Sequence, residues 1–274
     1  MSVFQKIELF YYRTSVSDKL AILLTFLLIG FTIIDPIFYQ LSTHANDFIK
    51  DFSRYISDFG RSAYILIPSG IIFLVSLFLI NRAPSIKLGA AYRQFCQMSG
   101  FVFFAVAGSG LIALGFKNLL GRARPRHFEE FGSTYFSPLT FDPSFASFPS
   151  GHSTTSFAFA VAFCLMFPKL RFTAISLALW IALSRYLIGA HYMTDIIVGS
   201  ALGSCFAIYA KRFFTRQNIL FKEKPDGQTR LQGGYVMHWF FMTYLSSRLA
   251  LVFNNILLSR KKSISKVIIK NIRL

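Results

Sequence analysis

Apolar residues in this chain fall into long unbroken runs separated by short polar strings. They neither alternate with polar residues nor recur as a narrow stripe. Six runs stand out, at 20–41, 62–80, 97–116, 153–167, 172–184 and 192–210. About 20 apolar helical residues match the hydrocarbon thickness of a bilayer. The fourth and fifth runs are short and reach that length only if their helices continue into the adjoining polar strings. The pattern predicts an all-α fold, a six-helix transmembrane bundle. The first run reads as a retained helix, because no small-residue cleavage site follows it.

After position 210 the pattern changes. Residues 211–234 are polar, with Pro225-Asp226-Gly227 as a turn and Gly233-Gly234 as a breaker. Residues 235–258 are apolar again, but Tyr244, Ser247, Arg248, Asn254 and Asn255 share one helical stripe. That is expected of an interfacial or cytoplasmic C-terminal helix. A seventh span would hold Arg248 in mid-bilayer at a cost of roughly 2.5–3.5 kcal/mol. The expected division is a six-span membrane domain over 1–210 and a basic tail over 211–274.

Composition agrees with a lipid solvent. The chain is 54% hydrophobic and 15% charged, against about 25% charged residues in soluble domains. Its net charge of +17 raises the question of nucleic acid. The cations, however, lie between and after the apolar runs, ending in Lys261, Lys262, Lys266, Lys270 and Arg273. Anionic lipid headgroups are the partner this placement fits, with no nucleic acid. Cys96, Cys164 and Cys205 are odd in number and far apart, and they read as small core residues. Oligomeric state stays open.

Lys/Arg bias sets the orientation. Lys6, Arg13 and Lys19, the second loop (Arg82, Lys87, Arg93), the fourth turn (Lys169, Arg171) and the tail belong on the cytoplasmic side. In the first loop Lys50, Arg54 and Arg61 are accompanied by Asp47, Asp51 and Asp58. The third loop breaks the rule, carrying Lys117, Arg122, Arg124 and Arg126 on the outer face. Cations placed against the topological bias have another task. Alternation of the spans brings the motif ends of helices three to six to that same face.

The chemistry collects there. Asp195 lies within the sixth run and needs a partner; His191 precedes it by four residues, on the same helical face. A carboxylate accepting one ring N–H fixes the tautomer and frees the other nitrogen. Alone, this is equally the pattern of a structural pair capping a helix. His152 ends Pro149-Ser150-Gly151-His152, at a helix start whose free N–H groups and dipole favour an anion. Alone, it is an ordinary N-cap. Lys117, Arg124 and Arg185 supply charges suited to phosphate oxygens. Arg122 and Arg126 read as flanking residues snorkelling to the interface.

Together, Lys117-x6-Arg124-Pro125, Pro149-Ser150-Gly151-His152 and Ser184-Arg185-x5-His191-x3-Asp195 resemble the three-part signature of the type-2 phosphatidic acid phosphatase superfamily. Every signature position is present, in order and at the family spacing. The resemblance implies a phosphohistidine mechanism. His191 would be the nucleophile, Asp195 its orienting carboxylate, and His152 the general acid on the leaving oxygen. Lys117, Arg124, Ser150, Gly151 and Arg185 would bind the phosphoryl oxygens. No metal or other cofactor is implied, and the sequence has no carboxylate cluster or Cys/His spacing of a metal site.

A membrane lipid is the expected substrate, with lipid A, undecaprenyl pyrophosphate, phosphatidylglycerophosphate and phosphatidic acid all open. The alternative is a lipid-to-lipid phosphotransferase working through the same phosphohistidine. The long Phe-rich stretch 126–148 is expected to shape substrate selection or to shield the site. Short loops favour a bacterial inner (cytoplasmic) membrane protein with its site facing the periplasm.

Overall fold

In the computed structural model, residues 15–224 and 229–245 are described. Helix α1 (Val16–Ile29) opens with a capping box: Ser15 accepts from the Asp18 N–H while Asp18 accepts from the Ser15 N–H. It passes through a π-helical turn, Gly30–Ile34, into α2 (Asp35–Thr43). There follow α3 (Asp47–Asp58), α4 (Ala63–Ile80), α5 (Ile86–Leu120), the short α6 (Phe128–Phe131), α7 (Gly151–Met166), α8 (Arg171–Leu187) and α9 (Met193–Arg216). A two-stranded hairpin, β1 (Phe221–Glu223) and β2 (Thr229–Leu231), precedes α10 (Gly234–Trp239) and a second π-helical turn, Phe240–Leu245.

The fold is all-α in class, and all six apolar runs are helical. Among the described residues, five helical stretches are long and apolar enough to cross a bilayer: Val16–Thr43, Asp47–Ile80, Ile86–Leu120, Pro168–Leu187 and Met193–Arg216. The fourth run is the shorter Gly151–Met166. Its 16 residues span about 24 Å at about 1.5 Å per residue, less than the hydrocarbon core. Along α1 and α4 the large apolar side chains, such as Leu24, Leu28, Leu74 and Phe78, point outward, as lipid contact requires.

Three segments differ from the sequence reading. The first loop contains a helix, α3, because Asn46 caps it by accepting the Phe48 N–H at 2.9 Å. Four of the balanced charges there form ion pairs one turn apart, Asp51–Arg54 and Asp58–Arg61, while Lys50 Nζ donates to the Thr43 carbonyl. Helix α5 begins ahead of its apolar run because Leu88, Ala91 and Gln94, three apart, form a buried face. The polar segment after 210 continues α9 to Arg216 and then folds into the hairpin, pairing Phe221 with Leu231 and Glu223 with Thr229. The Pro225-Asp226-Gly227 turn, the stripe residues Ser247, Arg248, Asn254 and Asn255, the terminal lysines, Lys6 and Arg13 lie outside the described residues.

The chain divides into two compact units, one containing the chain up to Ser69 with Phe101–Phe213, the other Gly70–Gly100 with the chain from Phe214. In the second, Phe95 meets Phe240 edge-on with ring centroids 5.0 Å apart. There Gln232 Nε2 donates to the carbonyls of Asn218 and Phe221.

The first unit owes its packing to small residues. On α9, Gly199, Gly203, Ala207 and Ala210 are buried; on α7, so are Thr154, Ala158 and Ala162. A β-carbon on Gly199 would stand 2.5 Å from the Ser150 carbonyl oxygen, and one on Gly203 would stand 2.2 Å from that of Thr154. The two backbones are therefore in contact, the close approach that small residues spaced by four permit in a membrane. Helix α8 packs on both α7 and α3. The contact of Gly199 and Gly203 with α7 brings the start of α7 to the start of α9.

Candidate active site

The three polar strings meet at that helix junction. The Ser150 N–H donates to the Asp195 carbonyl at 3.0 Å, tying the first turn of α7 to the first turn of α9. Ser150 is fully buried and is the N-cap of α7, its Oγ accepting from the Ser153 N–H and hydroxyl. The string Lys117–Arg124 arrives by a helix stop. Helix α5 ends at Leu120, and Gly121 takes a left-handed φ of +63°. A β-carbon there would lie 1.7 Å from the Ser137 carbonyl oxygen, so only glycine fits.

His191 precedes α9 rather than lying on it, after a turn at Gly189 with φ +66°. The pairing with Asp195 therefore does not come from helical spacing as the sequence suggested. Asp195 sits in the first turn and accepts the Tyr192 N–H at 3.0 Å, as a third helical residue does in a capping box. The same Oδ2 accepts from Ser147 Oγ at 2.5 Å and faces His191 Nδ1 at 3.5 Å. At that separation the imidazole is within charge-pairing range, but the hydrogen bond is not closed; Nδ1 has no hydrogen-bond partner among the described residues. A carboxylate there favours the tautomer with its proton on Nδ1, leaving the Nε2 lone pair free. Burial, with the charges of Lys117 and Arg124, pushes the imidazole down to about 3, the Asp195 carboxylate opposing. His191 is therefore held neutral.

The cations converge from three elements. Lys117 Nζ donates to the Ala146 carbonyl at 2.7 Å, and Arg124 reaches the carbonyls of Pro143 and Ala190 at 2.8 and 3.3 Å. Burial, with Arg126 alongside, lowers Arg124 from the usual arginine value, the Asp195 charge opposing. Arg185, on α8, donates from Nη1 to Ser57 Oγ on α3 at 2.6 Å, while its buried Nε has no partner among the described residues. The Arg185 carbonyl accepts the His191 N–H at 3.3 Å, which joins cation and imidazole through the backbone.

His152 and Lys117 line one cavity of about 560 Å³, with Gly151 beside them. A β-carbon on Gly151 would lie 3.6 Å from Lys117 Cε. Away from these polar groups the walls are apolar, formed by Leu66 of α4 and Val106, Leu111 and Leu114 of α5. Arg61 stands at the cavity's edge. The shape is amphiphilic: a cationic, imidazole-bearing end and a hydrocarbon wall.

Arg122 corrects the sequence reading. It does not snorkel; it is fully buried. Its Nη1 donates to Asp195 Oδ1 at 2.6 Å and to Thr194 Oγ1 at 2.9 Å. Its Nη2 donates to Asp35 Oδ2 and to the Ser133 carbonyl, both at 2.6 Å. Its guanidinium lies over the rings of Phe31 and Tyr192 at 4.2 and 4.3 Å. Burial alone would lower Arg122, but the two carboxylates outweigh it and raise it. Arg126, in contrast, is exposed, as expected. Asp35, Ser147 and Thr194 also escaped the sequence reading, although a carboxylate inside an apolar run was a signal for Asp35.

A family model described as the PAP2 superfamily matches residues 99–219. A lipid A 1-phosphatase of Rhizobium johnstonii is 39% identical over 182 residues, covering 65% of this chain and 73% of that protein. One of Rhizobium etli is 38% identical over 182 residues, covering 65% and 77%. A solved transmembrane PAP2 type phosphatidylglycerolphosphate phosphatase from Bacillus subtilis has a similar fold, with a TM-score of 0.51 at 21% identity. That match covers 73% of this chain and 96% of the solved one. With a family model matching residues 99–219 and a relative 39% identical over 73% of its length, the chain belongs to the PAP2 superfamily.

Proposed function

We propose that this membrane lipid phosphatase hydrolyses a lipid phosphate monoester or pyrophosphate through a phosphohistidine at His191. The observation that carries the reading is the Ser150–Asp195 backbone hydrogen bond, which holds the His152 string against the His191 string with Lys117 beside both. Nε2 of neutral His191 attacks phosphorus, and the ester bond to the lipid oxygen breaks. His152 gives that oxygen its proton. Asp195 faces the positive charge that the ring acquires. Lys117, Arg124 and Arg185, with the free N–H groups at the start of α7, hold the phosphoryl oxygens as negative charge redistributes. Water then attacks the phosphohistidine, His152 takes the proton back, and inorganic phosphate leaves. These cations perform the charge stabilisation without a metal ion.

For the substrate, we propose the phosphate of lipid A. Support comes from the two relatives named lipid A 1-phosphatase and from the amphiphilic cavity, whose apolar wall suits acyl chains. Undecaprenyl pyrophosphate, phosphatidylglycerophosphate and phosphatidic acid are the competing headgroups. The Lys/Arg bias along the sequence supports an inner-membrane protein with this site facing the periplasm, and the basic tail suits an anionic cytoplasmic leaflet.

The test is phosphate release by the purified protein from a panel of these four lipids, in detergent, with chelator and without added metal. Release from lipid A without an acceptor lipid supports the reading. Release only with a second lipid identifies a phosphotransferase. Activity only with a divalent cation overturns the metal-independent mechanism.

A further inference from the structure

Asp195 is one of two buried carboxylates that share Arg122. Asp35, on α2, is fully buried. It accepts from Arg122 Nη2 at 2.6 Å, from the Thr194 N–H at 2.9 Å and from Thr194 Oγ1 at 2.5 Å. Arg122 spends all five of its N–H directions within this cluster. None is left for an incoming phosphate. A single cation between two carboxylates leaves the cluster with one net negative charge, behind the nucleophilic ring.

Several features of the chain serve this arrangement. The π-helical turn Gly30–Ile34 adds backbone just before Asp35 and places Phe31 on the guanidinium face. A π-turn in a helix costs hydrogen-bond geometry and concentrates at functional sites. Gly30 lets α1 close on Thr194: a β-carbon there would stand 2.5 Å from its Cγ2. Ser133 Oγ donates to the Phe31 carbonyl at 2.6 Å while its own carbonyl takes two Arg122 bonds. The first span, the loop after α5 and the start of α9 thus close around one guanidinium.

We propose that Asp35 and Arg122 are positioning residues for the nucleophile. Arg122 fixes the Asp195 carboxylate beside His191, and Asp35 divides the Arg122 charge so that Asp195 keeps its pull on the imidazole N–H. Without Asp35, the undivided guanidinium charge falls on Asp195, and the positive phosphohistidine loses part of its counter-charge. The inference rests on His191 being the nucleophile. The other charged groups acting on His191 are Lys117 from α5, Arg124 from the loop and Asp195 itself. His152 belongs to α7, and Arg185 of α8 meets His191 through its carbonyl; all of these stay unchanged in the test.

The test is a charge series in the full-length protein: Asp35→Asn, Arg122→Gln, and both together. Wild type and the double variant carry the same net cluster charge, Asp35→Asn one unit more positive, Arg122→Gln one unit more negative. The readouts are the pH profile of kcat and the thermal midpoint. Asp35→Asn is expected to lower kcat about tenfold and move the acid limb down by about one pH unit. Arg122→Gln moves the limb up, and the double variant returns it to the wild-type position while kcat stays low. Any two variants that fold suffice, since each pair gives a signed difference. Limbs that coincide across the series, with activity following only the thermal midpoint, would show a structural brace and overturn the proposal. His191→Ala is run alongside: turnover in that variant removes the nucleophile assignment itself, whereas its inactivity beside coincident limbs sinks only the positioning role.

Discussion

Gly60 lies so close to His152 that a β-carbon on it would stand 2.8 Å from the ring's Cδ2 and 2.6 Å from Ile181 Cγ2. The turn between α3 and α4 therefore forms a wall against the imidazole, and in the proposed mechanism its fit sets where the proton is delivered. Gly60→Ala is expected to lower kcat by about 10- to 100-fold by tilting His152. Overpacking costs about 1–3 kcal/mol of stability. Steady-state kinetics and a thermal melt check this; wild-type kcat would show that the ring position is not set by this turn.

Ser57 is the one hydrogen-bond partner of Arg185 Nη1 among the described residues, across 2.6 Å. A hydrogen bond to a charged group contributes about 1.5–3 kcal/mol. Ser57→Ala is expected to raise KM about tenfold, with a smaller change in kcat, because Arg185 loses its orientation before substrate arrives. The split between KM and kcat is the measurement, and a loss confined to kcat would place Arg185 outside phosphate binding.

Asp195→Asn keeps an acceptor for Tyr192 and Ser147 but removes the charge that pairs with His191 and with Arg122. Replacing the carboxylate that orients a catalytic imidazole costs up to about 10⁴-fold, so a loss of about 10²–10⁴-fold is expected here. The expected loss of kcat lies in that range, with binding of radiolabelled lipid phosphate by the detergent-solubilised protein retained. Loss of binding in step with activity would make Asp195 a structural residue.

The pH dependence follows from the neutral His191. Protonation removes its lone pair, so activity falls as pH drops through its pKa. In the free site burial holds the ring at about 3 rather than the ordinary 6.5. A bound phosphate dianion favours the protonated ring and raises it. The acid limb of kcat, which reports the substrate complex, is therefore expected at higher pH than the His191 limb of kcat/KM, which reports free enzyme and free substrate. As pH rises, both fall as His152 loses the proton it donates in this mechanism. Identical acid limbs in the two profiles would contradict the assignment.

Much of this was legible in the sequence, for a physical reason: lipid demands uninterrupted apolar helices, and phosphate chemistry demands particular side chains in short strings. The runs and the strings Lys117–Arg124, Pro149–His152 and Arg185–Asp195 stood out without coordinates. The Asp35–Arg122 pair did not, because its partners are 87 positions apart and meet only through the register that the π-turn sets. A cation beside an apolar run is ordinarily an interfacial residue, and nothing local distinguished Arg122 from Arg126. Helix α3 was hidden for a related reason: mixed charges read as a polar loop unless the cap at Asn46 and the one-turn pairing are seen together. The contact of Gly199 and Gly203 with α7 explains why strings so far apart converge, and a bare glycine pattern does not name its partner helix.

The claim on which all of this depends is that phosphorus passes through His191. Rapid mixing of the protein with lipid carrying radiolabelled phosphate, quenched in alkali where phosphohistidine survives, tests it directly. Label is expected on the peptide containing His191 within a single turnover, decaying as inorganic phosphate appears, and absent from His191→Ala, which does not turn over. Phosphate release by wild type with no label ever bound to protein, or label on any other residue, would contradict the account.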